Sequence, residues 1–578
     1  MVNLMDLNQI KTVLYFSPHQ DDELLTMGID ICKSLQNQLD VHVILCSDGS
    51  ASAVRRTLGD GDTCKKHRGK HSYHLSVEDF VSARDREFQG SCKALGISKQ
   101  NIHIPPHRST DGKITVSEAK NLILHYMDAI DNNCVVCTIA PATGESQHPD
   151  HNTLGIAATE LFHSGKIVLL KLFVEPYVAD FKHKDANEAD AGIKPVTVYA
   201  LQPEREKLKN ATVSYSEWNP EAGRYGIGYH SVTTEFKELL QDGVFYYYPH
   251  VRRQDSKKLI VSLTSYPARI HCVTQVLATI YRQTLLPDEI ILWLAKSQFP
   301  NKLDDLPPDL LTLVKEKKLS VQWCDDDLKS HKKYFYVFRK YPDALVITID
   351  DDLLYHPQLI ENLYASWLLH PDAVSAARAH LIRISETGDI LPYKMWPQEM
   401  DVCISAPSMR LLATSGAGTL FPTALFTKVL DLFDEESIKN TCLYADDLWL
   451  KAVQLAAGIP VVVAEDCKKL QFVPQSQDVG LYHENFSHGG NDSQLTKIIQ
   501  VIDTRYGQNT FLNKLLNATA DNSPTDEEAL RNLITRYRKE TDELSKEKKN
   551  FDRFRKDGNG GLLFKIKRIV DRLLHKSR

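Results

Sequence analysis

Apolar positions along this chain fall into short unbroken runs separated by longer amphipathic stretches. Runs at 12–17, 41–47, 101–104 and 134–140 predict buried strands, and 22–37, 77–95, 115–130 and 152–163 repeat apolar residues at helical spacing. Strand and helix alternate, which predicts a parallel, doubly wound sheet. From Lys166 the pattern turns strand-rich, with 167–174 and 195–201. Residues 246–256 read as a junction, after which a second alternation begins. Its strands are expected at 259–265, 289–294, 320–324 and 344–349, and its helices at 271–283 and 329–340. The expected architecture is therefore α/β in two tandem units, 1–250 and 256–503, with a helical tail over 504–578.

Composition narrows the class. A length of 578 residues exceeds one ordinary core, and 42% hydrophobic with 25% charged residues is a globular balance. The net charge of −6 provides no basic field for nucleic acid. Eleven scattered cysteines favour a reducing compartment over a disulfide framework. Cys134 and Cys137 fall inside an apolar run and read as core. The first nine residues are short and polar rather than secretory, and no apolar run approaches the roughly 20 residues of a membrane span. The expected location is cytoplasmic.

Chemistry concentrates just after two of the strands. Ser17-Pro18-His19-Gln20-Asp21-Asp22-Glu23 leaves the first apolar run, at the edge where open α/β sheets bind ligands. A helix N-cap role is the plain alternative for such acids. Gln147-His148-Pro149-Asp150-His151-Asn152 leaves the run at 134–140 and opens a helix, with Pro149 suited to its first position. Two such loops at one sheet edge can supply His19, Asp22 and His151 to a zinc ion, flanked by Asp21 and His148. Between Ser47 and Ser76 lies a long polar loop. Its His67, His71 and His74 are loosely spaced with no interleaved acids, so it reads as a border of the substrate rather than a second metal site. Asp48 is either a sugar contact or a turn residue, and His230 either closes the site or lies on a surface loop.

The paired motifs Pro18–Glu23 and His148–His151, with Arg84-x-x-Glu87 and Leu95-Gly96 between them, resemble the PIG-L-like zinc de-N-acetylases over roughly residues 8–250. Gln20 stands where that family often has Pro. The resemblance implies that His19, Asp22 and His151 bind zinc, that Asp21 is the general base, and that His148 stabilises the oxyanion or protonates the leaving amine. It implies an acetamido-sugar substrate.

In the second unit an apolar strand delivers Asp350-Asp351-Asp352. Uncompensated carboxylates repel one another, and a divalent cation relieves this. With Thr264-Ser265-Tyr266-Pro267 and Tyr444-Ala445-Asp446-Asp447, this region resembles metal-dependent GT-A glycosyltransferases over roughly 256–500. That resemblance implies Mn²⁺ or Mg²⁺ on Asp350 and Asp352, and Asp447 as base. Thr264, Arg269, Lys333, Asp351 and Asp446 are the expected substrate contacts, with Lys332 a further diphosphate partner. Gly416-Ala417-Gly418 is expected to allow close backbone approach, and His483 is a candidate third ligand. The implied partners are a nucleotide-sugar donor and a glycan or lipid-linked acceptor. Together the resemblances imply two Rossmann-like domains in tandem, a bifunctional enzyme of glycan biosynthesis. The rival reading is a zinc amidohydrolase acting on a non-sugar amide, with the second unit a glycan-recognition module. Residues 562–578 form a basic amphipathic stretch, expected to make a peripheral contact with the inner face of the cytoplasmic membrane.

Overall fold

The computed structural model describes residues 10–59, 63–64, 66–141, 147–175, 195–253, 256–385, 387–397, 406–464, 470–474, 476 and 490–516. His483 and the basic stretch 562–578 lie outside the described residues.

The first half contributes β1 (Thr12–Ser17), β2 (Asp40–Leu45), β3 (Thr63–Cys64), β4 (Gly69–Lys70), β5 (Ile102–His103), β6 (Cys134–Ile139), β7 (Leu169–Val174), β8 (Val196–Tyr199), β9 (Trp218–Asn219), β10 (Arg224–Tyr225) and β11 (Val244–Val251). Its main sheet runs β5-β2-β1-β6-β7-β11-β8. β1 pairs in parallel with β2 on one side and β6 on the other. The chain thus winds outward from β1, then returns to β1's other edge, leaving a crevice beyond the carboxyl ends of β1 and β6. All six residues of β1 and of β6 are buried, as a sheet covered on both faces requires. Cys134 and Cys137 belong to that core.

Local signals set the covering helices. Ser76 Oγ accepts from the Asp79 backbone N–H at 3.0 Å and caps Val77–Leu95. Thr115 and Glu118 form a reciprocal capping box at the start of Val116–Ile130. The helix expected over 22–37 is instead two pieces, Asp22–Leu25 and Gly28–Gln36. Gly28 lies against the helix Gln202–Ser216, where a Cβ would come 3.0 Å from Leu208.

The expected junction at 246–256 is corrected. Its first part, through Val251, belongs to β11, an antiparallel strand between β7 and β8. The alternating burial along this strand is what three tyrosines in a row obscured. Pro249 lies beyond the stretch paired with β8, where a missing N–H is tolerated.

The second half contributes β12 (Lys258–Thr264), β13 (Glu289–Ala295), β14 (Ser320–Cys324), β15 (Ala344–Thr348), β16 (Leu353–Leu354), β17 (Val374–Ala376), β18 (Ala379–Leu381), β19 (Leu411–Ala413), β20 (Thr419–Pro422) and β21 (Val461–Val463). The sheet order is β14-β13-β12-β15-β20-β17-β21. β12 pairs in parallel with β13 and β15, so the outward-and-return winding recurs. The two sheets share one continuous hydrophobic core. The Ile10 N–H donates to Leu368 O at 3.2 Å, and the Val251 N–H to Glu361 Oε1 at 3.1 Å, across the halves. No helix among the described residues is long and apolar enough to cross a membrane.

Gly155, on the helix Pro149–His163, shows how tightly that helix seats against the end of β6. A Cβ there would lie 2.6 Å from Ile139 O and 2.7 Å from Pro141 N. Gly155→Ala is expected to destabilise the fold by about 1–3 kcal/mol through overpacking, read as a lowered thermal midpoint in calorimetry.

Candidate active site

Three donor atoms converge beyond β1 and β6. His19 Nδ1 lies 3.0 Å from His151 Nε2 and 3.2 Å from Asp22 Oδ2, and His151 Nε2 lies 3.0 Å from Asp22 Oδ2. All three residues are buried. A tetrahedral zinc ion with bonds of about 2.0–2.1 Å needs donors roughly 3.3 Å apart, which this triangle nearly matches. The far ring nitrogens are also held by acids. His151 Nδ1 meets Glu175 Oε1, while His19 Nε2 lies 3.3 Å from Asp150 Oδ2 and 3.2 Å from Asp111 Oδ1. Carboxylates on the outer nitrogens orient imidazoles toward a metal. The donor set therefore fits zinc.

Each position follows from the chain. His19 and Asp22 leave β1, and the Asp22 carboxylate turns back to accept from the His19 N–H at 2.9 Å. His148 Nδ1 accepts from the Asp150 N–H at 3.3 Å at the N-terminus of Pro149–His163, with Pro149 first in the helix. That cap sets His151 on the inner face of the first turn. Asp150 is fixed by the Gly112 and Ile114 N–H groups at 2.7 and 3.0 Å. Asp21 has φ 115°, outside the comfortable range for a side chain-bearing residue, a strain held in place by the site.

Electrostatics separate the two adjacent acids. Burial pushes the Asp21 carboxyl up to about 7, only partly offset by Arg84, whose Nη2 lies 3.5 Å from Asp21 Oδ2. Burial acts on Asp22 too, but His151 and His19 outweigh it and hold that carboxyl well below its usual range. Burial alone would lower His151, but Asp22 and Glu175 raise it to about 9. The two neighbouring carboxyls thus differ widely in their affinity for protons, as paired acids in distinct roles do. His148 sits beside them, its ring centroid 4.3 Å from that of His19 and its Nε2 3.2 Å from Asp111 Oδ1. Arg84 is anchored by Gly49 O at 2.7 Å and Gln20 O at 2.9 Å.

Residues 14–162 match the family model of PIG-L, GlcNAc-PI de-N-acetylase. No curated protein matches the chain. Similar solved structures include a deacetylase triple mutant of the teicoplanin biosynthetic pathway, 16% identical, covering 42% of this chain and 100% of that one, with a TM-score of 0.30. The A40926 pseudoaglycone deacetylase is 18% identical, with 42% and 99% coverage and a TM-score of 0.30. The N,N'-diacetylchitobiose deacetylase from Pyrococcus horikoshii, in complex with an inhibitor, is 18% identical, with 42% and 84% coverage and a TM-score of 0.28.

Sequence reasoning passed over Asp111, Asp150 and Glu175 as partners of the imidazoles. Glu175 carried a usable signal, an acid immediately after a buried strand. Asp48 is a turn residue, its Oδ1 accepting from the Ser50 and Asp111 N–H groups, each at 2.9 Å. His230 is not part of the triangle; it lies with His67 and His71.

The second half gathers its expected residues around a cavity of about 530 Å³ beyond β12 and β15. The carboxylates there are not uncompensated. Lys333 Nζ bridges Asp350 Oδ1 at 2.7 Å and Asp446 Oδ2 at 3.0 Å. Arg269 Nη1 lies 3.2 Å from Asp351 Oδ1 and 2.9 Å from Asp352 Oδ2. The repulsion that suggested a cation is thus answered by side chains, and no metal-holding group is found there among the described residues. Thr264 lines the cavity while donating to Trp293 O at 2.8 Å, and Lys332 pairs with Asp327 at 2.7 Å. Gly416 presses on Asp350, where a Cβ would come 1.8 Å from Oδ2. Burial and Asp446 push Asp447 up to about 7, and its Oδ1 accepts from the Ser415 N–H at 2.8 Å and hydroxyl at 2.5 Å.

Glu175→Ala removes the outer partner of His151. Zinc affinity, measured by chelator competition, is expected to fall about 10–100-fold.

Proposed function

We propose that the first half hydrolyses the N-acetyl group of an acetamido sugar in a zinc-dependent reaction. The observation that carries this reading is the triangle of His19 Nδ1, Asp22 Oδ2 and His151 Nε2 beside a buried, proton-seeking Asp21, within the stretch that matches the PIG-L model. His19, Asp22 and His151 would hold the zinc. When bound, the metal supplies Lewis-acid polarisation of the amide carbonyl and lowers the pKa of the attacking water. Asp21 accepts the proton of that water on its carboxylate. Arg84 fixes the backbone around Asp21 through Gly49 and Gln20. His148, half-buried at the mouth, accepts the Asp150 N–H at Nδ1 and so carries its proton on Nε2, from which it can donate a hydrogen bond to the developing oxyanion, while the proton taken by Asp21 passes on to the departing amine. The products are acetate and a free amino sugar.

For the second half the reading is transfer of a sugar from a nucleotide-sugar donor to a glycan or lipid-linked acceptor. It is supported by the cavity at the winding reversal, where Arg269 and Lys333 offer positive charge to a diphosphate. Asp350 and Asp352 would take Mn²⁺ or Mg²⁺ only by giving up contacts to Lys333 and Arg269. The donor set as it stands is committed to those cations and does not yet fit a metal. No step is therefore assigned to one. In this reading Asp447 is the base for the acceptor hydroxyl, a role supported by its raised proton affinity. The rival, a non-sugar amide substrate with a recognition module, predicts acetate or amine release without sugar transfer.

Purified protein offered acetamido sugars should release acetate. Asp21→Asn is expected to cut kcat about 10²–10⁴-fold with zinc content unchanged, and undiminished turnover in that variant would rule out the assigned base. Sugar transfer has its own signature. A base raised to about 7 must be deprotonated to act, so transfer should rise with pH through about 7 and flatten above it. A rate flat across pH 5–8, in about that range, would exclude Asp447.

A further inference from the structure

We propose that Cys64, His67, His71 and His230 bind a second, structural zinc ion, separate from the site of His19, Asp22 and His151. The four donor atoms lie within 4.8 Å of one another. Cys64 closes β3, His67 stands in the turn and His71 follows β4, so one hairpin delivers three donors at Cys-x₂-His-x₃-His spacing. Short spacings of this kind are those of structural zinc sites. Arg68, with φ 52°, makes the tight turn that folds His67 back over Cys64. His67 Nδ1 lies 3.8 Å from Cys64 Sγ and 3.0 Å from His71 Nε2. Tetrahedral Zn–S and Zn–N bonds require edges of about 3.3–3.6 Å, so modest adjustment closes the shell.

The fourth donor comes from elsewhere in the chain. His230 stands on the short helix Ile227–Ser231, and its Nδ1 donates to Gly226 O at 2.6 Å. That bond fixes the tautomer and leaves Nε2 with a free lone pair. Nε2 is shielded from solvent and has no hydrogen-bond partner among the described residues. A buried lone pair aimed at three other soft donors is costly unless something binds it. The His67 N–H donates to Cys64 Sγ at 3.4 Å, a contact suited to a sulfur carrying charge. Trp218 covers the group, its ring 4.1 Å from His67, 4.9 Å from His71 and 5.5 Å from His230.

Four protein ligands leave no open position, which makes the site a staple rather than a catalyst. It ties the hairpin between β2 and the helix Val77–Leu95 to the helix Ile227–Ser231. That helix is itself pinned by Glu87, which accepts from the Ile227 and Gly228 N–H groups at 2.7 and 3.0 Å.

Cobalt distinguishes the two sites, because only this one contains a thiolate. The full chain, stripped of metal and titrated with Co²⁺, is expected to show a sulfur-to-cobalt charge-transfer band in the near ultraviolet. His151→Ala should keep the band and Cys64→Ala should lose it. His71→Ala, which keeps the sulfur, should weaken Co²⁺ binding at this site at least 10-fold. Zinc analysis should show one equivalent fewer in Cys64→Ala than in the parent chain. Absence of the band in the parent chain, or its persistence in Cys64→Ala, overturns the proposal. The parent spectrum decides the matter even where a variant does not fold.

Discussion

Asp22 is fully buried, and a buried carboxylate is tolerable only with partners that repay its lost hydration. Its partners are the imidazoles of His19 and His151, which arrive from β1 and β6. These strands, Thr12–Ser17 and Cys134–Ile139, are far apart in sequence yet are neighbours in the sheet. The charge cannot be satisfied unless the chain returns to the open edge of β1. The winding of the sheet and the chemistry of the site therefore depend on the same contact. The outer acids extend it: Glu175 follows β7, the next strand along, and Asp150 opens the helix after β6. Three adjacent parallel strands thus each send a carboxylate or imidazole to one point.

The second half repeats the winding with a different settlement of charge. β12 and β15 correspond to β1 and β6 in their pairing, and acids again follow the strand that closes the reversal. Here the partners are Lys333 and Arg269, permanent cations, rather than imidazoles whose lone pairs can ligate. Burial alone would lower Lys333, yet Asp350, Asp446 and Asp447 outweigh it and keep the ammonium charged. One edge presents ring nitrogens and a carboxylate whose spacing fits a cation, and the other carries cations of its own.

The sequence disclosed the parts of this arrangement that depend on neighbouring residues. The strand before His19, the helix opened by Pro149 and the acids at 350–352 were all legible, because hydrophobic runs and turn chemistry are local. Asp111 and Glu175 were not, since their roles exist only once distant loops meet. The His67 and His71 pair looked too loosely spaced for a metal because Cys64 and His230 were not considered with it; His230 is brought there only by the fold, and His74 is not among the four donors. The junction placed at 246–256 failed for a related reason. A strand wedged between β7 and β8 has to be recognised by its partners, and Tyr-Tyr-Tyr-Pro conceals its alternation.

The two edges also differ in what a ligand must do on arrival. In the first half a metal would enter a triangle whose donors already face one another, and the protons displaced would come from imidazoles held high by Asp22, Glu175 and their neighbours. In the second half a cation entering at Asp350 or Asp352 would compete with Lys333 or Arg269, which would keep only Asp446 or Asp351 respectively as partner. Asp350 itself occupies space that only a glycine leaves open, since a Cβ at Gly416 would come 1.8 Å from its Oδ2.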